Sequence, residues 1–121
     1  DERSVAALDF DGDPEAGHAV SLAKCTRCHA VDDATRGKGI ASTPSFAVLR
    51  TLPDWPDRFT AFYALNPHPA FTIITEVTPP FPETRPSPIV PIELTLDEVE
   101  HVLAYVAAMQ AADLGAPLVT E

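Results

Sequence analysis

Six prolines, Pro79, Pro80, Pro82, Pro86, Pro88 and Pro91, crowd into one stretch of a 121-residue chain. Each lacks a backbone N–H and holds φ near −65°, so the stretch cannot be a helix. Just before it, Phe71–Thr78 carries the β-branched residues Thr72, Ile73, Ile74, Thr75, Val77 and Thr78 and is read as extended, or as a short strand. The result is one long, proline-stiffened loop over residues 70–94, and loops of that length inside a small domain are commonly functional.

Helices are expected on both sides of the loop. Asp13-Pro14 reads as a cap followed by a proline suited to the first helical position, opening a helix through Ala16–Ala23 to about Cys28. Thr43-Pro44 introduces a short helix near Ser45–Arg50 by the same logic. A third helix follows Pro56 through Asp57–Leu65 and must stop before Asn66-Pro67. Trp55, at its start, reads as a packing anchor. The strongest signal is the last: Thr95 and Glu98 form a capping box ahead of Leu96, Val99, Leu103 and Val106 at helical spacing. Val102 and Met109 widen that stripe, and Gly115 and Pro117 mark its end. The fold class is all-α, with an extension over 1–12, one domain over 13–112 and a tail over 113–121.

Charge narrows the partners. Eight Lys and Arg stand against eighteen Asp and Glu, a net charge of −10 with a pI near 4.6. Such a chain is poorly suited to general nucleic-acid binding or to an anionic membrane surface. No run of 18 apolar residues is present to form a transmembrane helix, and Asp1-Glu2-Arg3 lacks the apolar core of a signal peptide. Half the cations, Lys24, Arg27, Arg36 and Lys38, fall between residues 24 and 38, a locally basic patch on an acidic molecule. It reads either as a solvated face or as a docking surface.

That patch surrounds Cys25-Thr26-Arg27-Cys28-His29, a C-x-x-C-H motif, the attachment signal for a c-type haem. Two thiols one helical turn apart can both reach the vinyl groups on one porphyrin edge, and the following His can then bind iron through Nε2. A structural zinc site needs two further ligands at matching spacing, and His18, His68 and His101 are scattered singly. A redox-active dithiol normally follows a strand in a βαβ unit, a pattern not seen here. A plain disulfide is the remaining reading.

With these residues in hand, the chain resembles the class I cytochrome c family, especially its small bacterial monohaem members. Gly17 lies eight residues before Cys25, like the family's small residue at a helix crossing. Thr43-Pro44-Ser45-Phe46 is similar to the segment whose proline carbonyl accepts the Nδ1–H bond of the proximal His. Ala104-Tyr105-Val106 resembles the aromatic signature of the last helix, so the likeness spans about residues 13–110. It implies about four helices around one covalent haem c, with Cys25 and Cys28 as thioethers, His29 as proximal iron ligand and Pro44 orienting it. Gly17 and Tyr105 would meet where the first and last helices cross.

The likeness breaks on the distal side. Where the family places a Met ligand, this chain has Asn66-Pro67-His68-Pro69-Ala70-Phe71, and sliding the comparison to Pro79–Pro82 again puts a Phe there, at position 81. Phe71 and Phe81 are therefore expected as distal wall. Met109, the chain's one methionine, lies on the apolar stripe of the last helix and reads as core packing. Two possibilities stay open for the sixth iron position: His68 as ligand, or an open site. His18 and His101 are read as surface residues.

Two functions follow from that fork. Two stable axial ligands suit an electron carrier in the bacterial periplasm, with a redox partner docking at Lys24, Arg27, Arg36 and Lys38. An open site suits a binder of NO, CO, O₂ or peroxide, or a weak peroxidase. A haem subunit of a larger oxidoreductase is a third reading. No catalytic triad, P-loop or nucleotide motif accompanies the haem signal.

Overall fold

The computed structural model describes residues 10–40 and 42–112; the first nine residues, Ala41 and the tail from residue 113 lie outside it. Four α-helices follow in chain order: α1 Pro14–Lys24, α2 Phe46–Leu49, α3 Trp55–Thr60 and α4 Leu96–Ala108. Single 3₁₀ turns stand at Asp33–Thr35, Phe62–Ala64 and His68–Ala70, and two short strands, β1 Thr72–Ile74 and β2 Ile92–Leu94, precede α4. The chain is thus mainly helical, with a little strand.

Helices α1, α2 and α4 start where a side chain satisfies one of their first free N–H groups, whereas α3 starts at Asp54 without a side-chain cap bond. Asp13 accepts from the Glu15 N–H (3.1 Å), with Pro14 at the first position. Thr95 Oγ1 accepts from the Glu98 N–H (3.1 Å), while Glu98 Oε1 accepts from the Thr95 N–H (2.9 Å), the expected capping box. The cap of α2 is Ser45 rather than Thr43: its Oγ accepts from the Val48 N–H, 3.1 Å away. Pro44 therefore stays outside the helix, and its carbonyl is free for another donor.

The ends differ more from expectation. Helix α1 stops at Lys24, with Cys25 as its cap, and the cysteine motif continues as a turn in which the His29 N–H bonds to the Cys25 carbonyl (3.0 Å). Helix α3 runs only from Trp55 to Thr60, and residues 62–64 form a 3₁₀ turn. Helix α4 ends at Ala108, well before Gly115 and Pro117, which lie outside the described residues. Met109 turns extended, and Ala112 is then drawn onto α2 by an N–H bond to the Ala47 carbonyl (2.9 Å).

Helices α1 and α4 make the most extensive helix contact. Gly17 permits it: a Cβ there would run into the His101 carbonyl and come within 2.8 Å of Tyr105 Cβ. Tyr105 meets Gly17 at this crossing, as expected, and its hydroxyl donates to the Val31 carbonyl (2.6 Å). Burial, with Asp32 and Asp33 nearby, holds that phenol above its ordinary pKa, so it remains a donor. The buried face of α4 is Val99, Val102, Leu103, Ala104, Val106 and Ala107. Leu96, assigned to the stripe from its spacing, sits in the first turn and is half exposed. Opposite lies an aromatic group: Phe46 edge-on to Phe59 (5.0 Å, 90°), Phe59 against Trp55 (6.1 Å, 74°), and Phe10 against Trp55 (5.8 Å). Arg50, nearly buried, places its guanidinium 4.7 Å from the Trp55 ring and donates from Nε to the Val106 carbonyl (3.1 Å).

The strands pair in parallel, Thr72 with Ile92, Ile73 with Glu93 and Ile74 with Leu94. Parallel pairing requires a long crossover, which residues 75–91 and their prolines supply. Nothing in the local pattern around Pro91 marked Ile92–Leu94 as a strand; the partner that makes it one is distant in sequence. Ile74, Ile92 and Leu94 join the core, so the ends of the long loop are packed while its middle is exposed.

His18 and His101 are more engaged than surface residues. His18 stacks on Tyr105 (4.8 Å, 14°) and its Nε2–H donates to Asp32 Oδ2 (2.6 Å). That bond, ahead of those from Thr35, holds the Asp32 carboxyl below its usual range. His101 Nδ1 accepts the backbone N–H of Asp13 (2.9 Å), tying α4 to the start of α1. Both histidines act at the α1–α4 crossing.

Candidate functional site

A mainly apolar cavity of about 380 Å³ opens between the end of α1, the Pro44–Phe46 segment, α3 and the turns after it. Ile92 and Leu94 of β2 and Val99 and Val102 of α4 close its back. The volume falls in the range of cofactor pockets, and the polar groups on its walls include Cys25, Cys28, His29 and His68 together with Ser42, Thr43 and Arg58.

Cys25, Cys28 and His29 all line it. Both cysteines are free thiols. Burial, with Cys28 nearby, pushes the Cys25 thiol up to about 12, so it stays protonated at neutral pH. His29 Nδ1 lies 2.6 Å from the Pro44 carbonyl. A carbonyl can only accept, so Nδ1 carries the hydrogen and Nε2 keeps its lone pair. Burial lowers the His29 pKa, the Pro44 bond raises it in part, and His68 lowers it further, so the net shift is downward and the ring is neutral at pH 7. Phe46 supports the ring at 5.5 Å. Two thiols, an imidazole and a carbonyl that orients it are thus gathered at one part of the cavity.

His68 lines the same cavity from the 3₁₀ turn at 68–70. Its Nδ1 donates to the Leu65 carbonyl (2.9 Å), again leaving Nε2 with its lone pair. Phe62 stands edge-on to the ring (5.2 Å, 90°) and Phe71 packs beside it (5.8 Å, 60°). Across the cavity the rings of His29 and His68 are parallel within 3°, with centroids 6.3 Å apart.

Other sequence assignments separate here. Phe71 is in the cavity wall, but Phe81, also expected there, is not among the lining residues. It lies beyond the turn at Glu76, a residue with φ of 68°, on the crossover between the two strands. Met109 is likewise not a lining residue; it caps α4 and packs partly buried against the core. Of the basic patch, Lys24 and Arg27 lie at the cavity, whereas Arg36 and Lys38 are exposed and do not line it. Arg27 also donates to the Val90 carbonyl (3.0 Å), joining the cysteine segment to the proline-rich crossover. Sequence reasoning missed Phe59, Phe62 and Arg58, which contribute to the lining. Arg58 is paired with Asp54 one turn earlier (3.0 Å), and that spacing was the one signal available for it.

The donor set fits a haem. Among the described residues no three His, Cys, Asp or Glu side chains gather to hold a bare metal ion. A metal between the facing imidazoles would therefore need its remaining donors from elsewhere, which a porphyrin ring provides. The apolar walls suit such a ring, and both free thiols line the same cavity.

Comparison with known proteins agrees. The chain is 39% identical over 75 residues to cytochrome c-552 of Bradyrhizobium diazoefficiens, a stretch covering 59% of this chain and 62% of that protein. Over that stretch the chain is similar to a protein named as a c-type cytochrome. The chain thus spans less than two thirds of the length of the relative it matches. No family profile matches the chain, and no solved structure matches it significantly. Among the described residues no helix is long and apolar enough to cross a membrane.

Proposed function

We propose that this chain is a monohaem c-type cytochrome that carries electrons between redox proteins in the bacterial periplasm. The observation that carries the reading is the oriented imidazole of His29, held by the Pro44 carbonyl beside two free thiols at one apolar cavity. Bound there, haem c supplies a one-electron ferric–ferrous couple. Cys25 and Cys28 would hold it through thioether links, and His29 Nε2 would ligate its iron. Val99, Val102, Leu94 and Phe59 exclude water from the ring, limiting solvent reorganisation when the charge changes. A single C-x-x-C-H motif implies a single haem.

Periplasmic location follows from the attachment chemistry, which in bacteria is completed after export. Docking is assigned to the cavity rim, where Lys24 and Arg27 bring positive charge to an acidic molecule and Val90, 76% exposed, adds an apolar contact. Arg36 and Lys38 stand outside that rim and steer at longer range.

The test is expression with a c-type maturation system. The expected product is red, gains the mass of one haem that acid–acetone does not extract, and titrates reversibly with one electron. A colourless product, or a haem that extracts, overturns the reading. Exchange with an acidic redox partner is expected to slow as ionic strength rises, and K24E with R27E to slow it at low salt. Rates indifferent to both would remove the docking assignment.

A further inference from the structure

We infer that His68 Nε2 is the second axial iron ligand, so that this chain holds its haem between two imidazoles and leaves no open coordination position. The inference rests on the haem reading above and deepens it. Three independent features of His68 point the same way. The first is spacing. Two imidazoles bound to one metal from opposite sides, with bonds of about 2.0–2.1 Å and about 1.1–1.2 Å from ring nitrogen to ring centre, have centroids about 6.2–6.6 Å apart. The observed separation is 6.3 Å, with the planes parallel within 3°. Rings stacked directly on each other would be much closer, so the pair is spaced as if to admit something between them.

The second is the tautomer. His68 Nδ1–H is committed to the Leu65 carbonyl just as His29 Nδ1–H is committed to Pro44, and both Nε2 lone pairs are left to a metal. Bonds of this kind are what fix a ligating imidazole and raise its basicity. The third is rigidity. Phe62 and Phe71 bracket the ring, so little side-chain freedom remains to be lost on ligation. A distal His that only donated a hydrogen bond to a bound gas would keep its hydrogen on the nitrogen facing the metal. Here the Leu65 carbonyl holds the hydrogen on the other nitrogen. The competing sulfur donor, Met109, is not among the residues at the cavity.

The consequence is a carrier rather than a binder of small ligands. Two nitrogen ligands also set a lower reduction potential than a His/Met pair.

The experiment is spectroscopy of the matured holoprotein. The native protein is expected to be low-spin in both oxidation states, to show the rhombic low-spin ferric EPR signal of near-parallel imidazole planes, to lack the sulfur-to-iron charge-transfer band of Met ligation, and to bind CO negligibly on mixing. H68A is expected to become high-spin and to take up CO at once, while free imidazole returns its low-spin spectrum. A high-spin native protein that binds CO on mixing, or H68A with an unchanged low-spin spectrum, overturns the inference. The native spectra decide even where H68A folds poorly. Failure of the underlying haem reading looks different: there the native protein carries no covalent haem at all.

Discussion

The His29 side of the cavity is written in five consecutive residues, Cys25 to His29, with the Pro44 carbonyl added from outside. The His68 side is assembled from pieces that mean little alone: a 3₁₀ turn at 68–70, the Leu65 carbonyl, Phe62 and Phe71, and a crossover that returns to pair β1 with β2. Both sides nonetheless present an imidazole with Nδ1 on a backbone carbonyl. The comparison teaches that one side of a site can be written in neighbouring residues, while the other is assembled by packing.

That division is open to direct attack. Replacing Cys25 and Cys28 together with Ala should have the largest effect, abolishing covalent haem and lowering helical content, as read by mass and far-UV circular dichroism. H68A, by contrast, should retain a full complement of covalent haem, and equal loss in both variants would break the distinction between the two sides. Next comes the frame that carries both. Gly17→Val drives side-chain atoms into the His101 carbonyl and Tyr105. The expected cost exceeds about 4 kcal/mol, a large part of a typical domain's stability, measured by denaturant unfolding of the holoprotein.

Smaller effects sharpen the comparison. Arg50→Ala removes the bond to the Val106 carbonyl and uncovers the Trp55 face, and Arg50 is not a lining residue of the cavity. A loss of about 2–4 kcal/mol is expected with the haem spectrum unchanged. Thr95→Ala breaks the capping box of α4 and should cost about 1 kcal/mol by the same unfolding assay. The smallest effect is pH-dependent. The His18 bond depresses the Asp32 pKa, so its stabilisation is fully present above the ordinary carboxylate pKa and fades as pH falls through the lower folded value. Asp32→Asn should flatten the stability profile below about pH 4, by less than about 1 kcal/mol once solvent screening is allowed for. A profile identical to the native one would show that the bond contributes nothing.

Local chemistry explains what was readable without coordinates. The caps at Asp13 and Thr95, the close approach at Gly17 and Tyr105, and the cysteine motif each depend on residues near in sequence or on a strong size constraint. The lengths of α1, α3 and α4 were misjudged because their ends are set by turns and by partners such as Ala47, which helical periodicity does not register. His18 and His101 looked like surface residues because their partners, Asp32, Tyr105 and the Asp13 N–H, come from other segments.

By itself, then, the amino-acid order determined that this chain carries a haem signal on a helical frame, since thiol spacing and helix caps are properties of neighbours. Which imidazole faces His29, and that Phe81 and Met109 stay away from the cavity, was decided only by tertiary structure. Those outcomes depend on how a proline-stiffened crossover returns to a distant strand, and no short-range rule specifies that return.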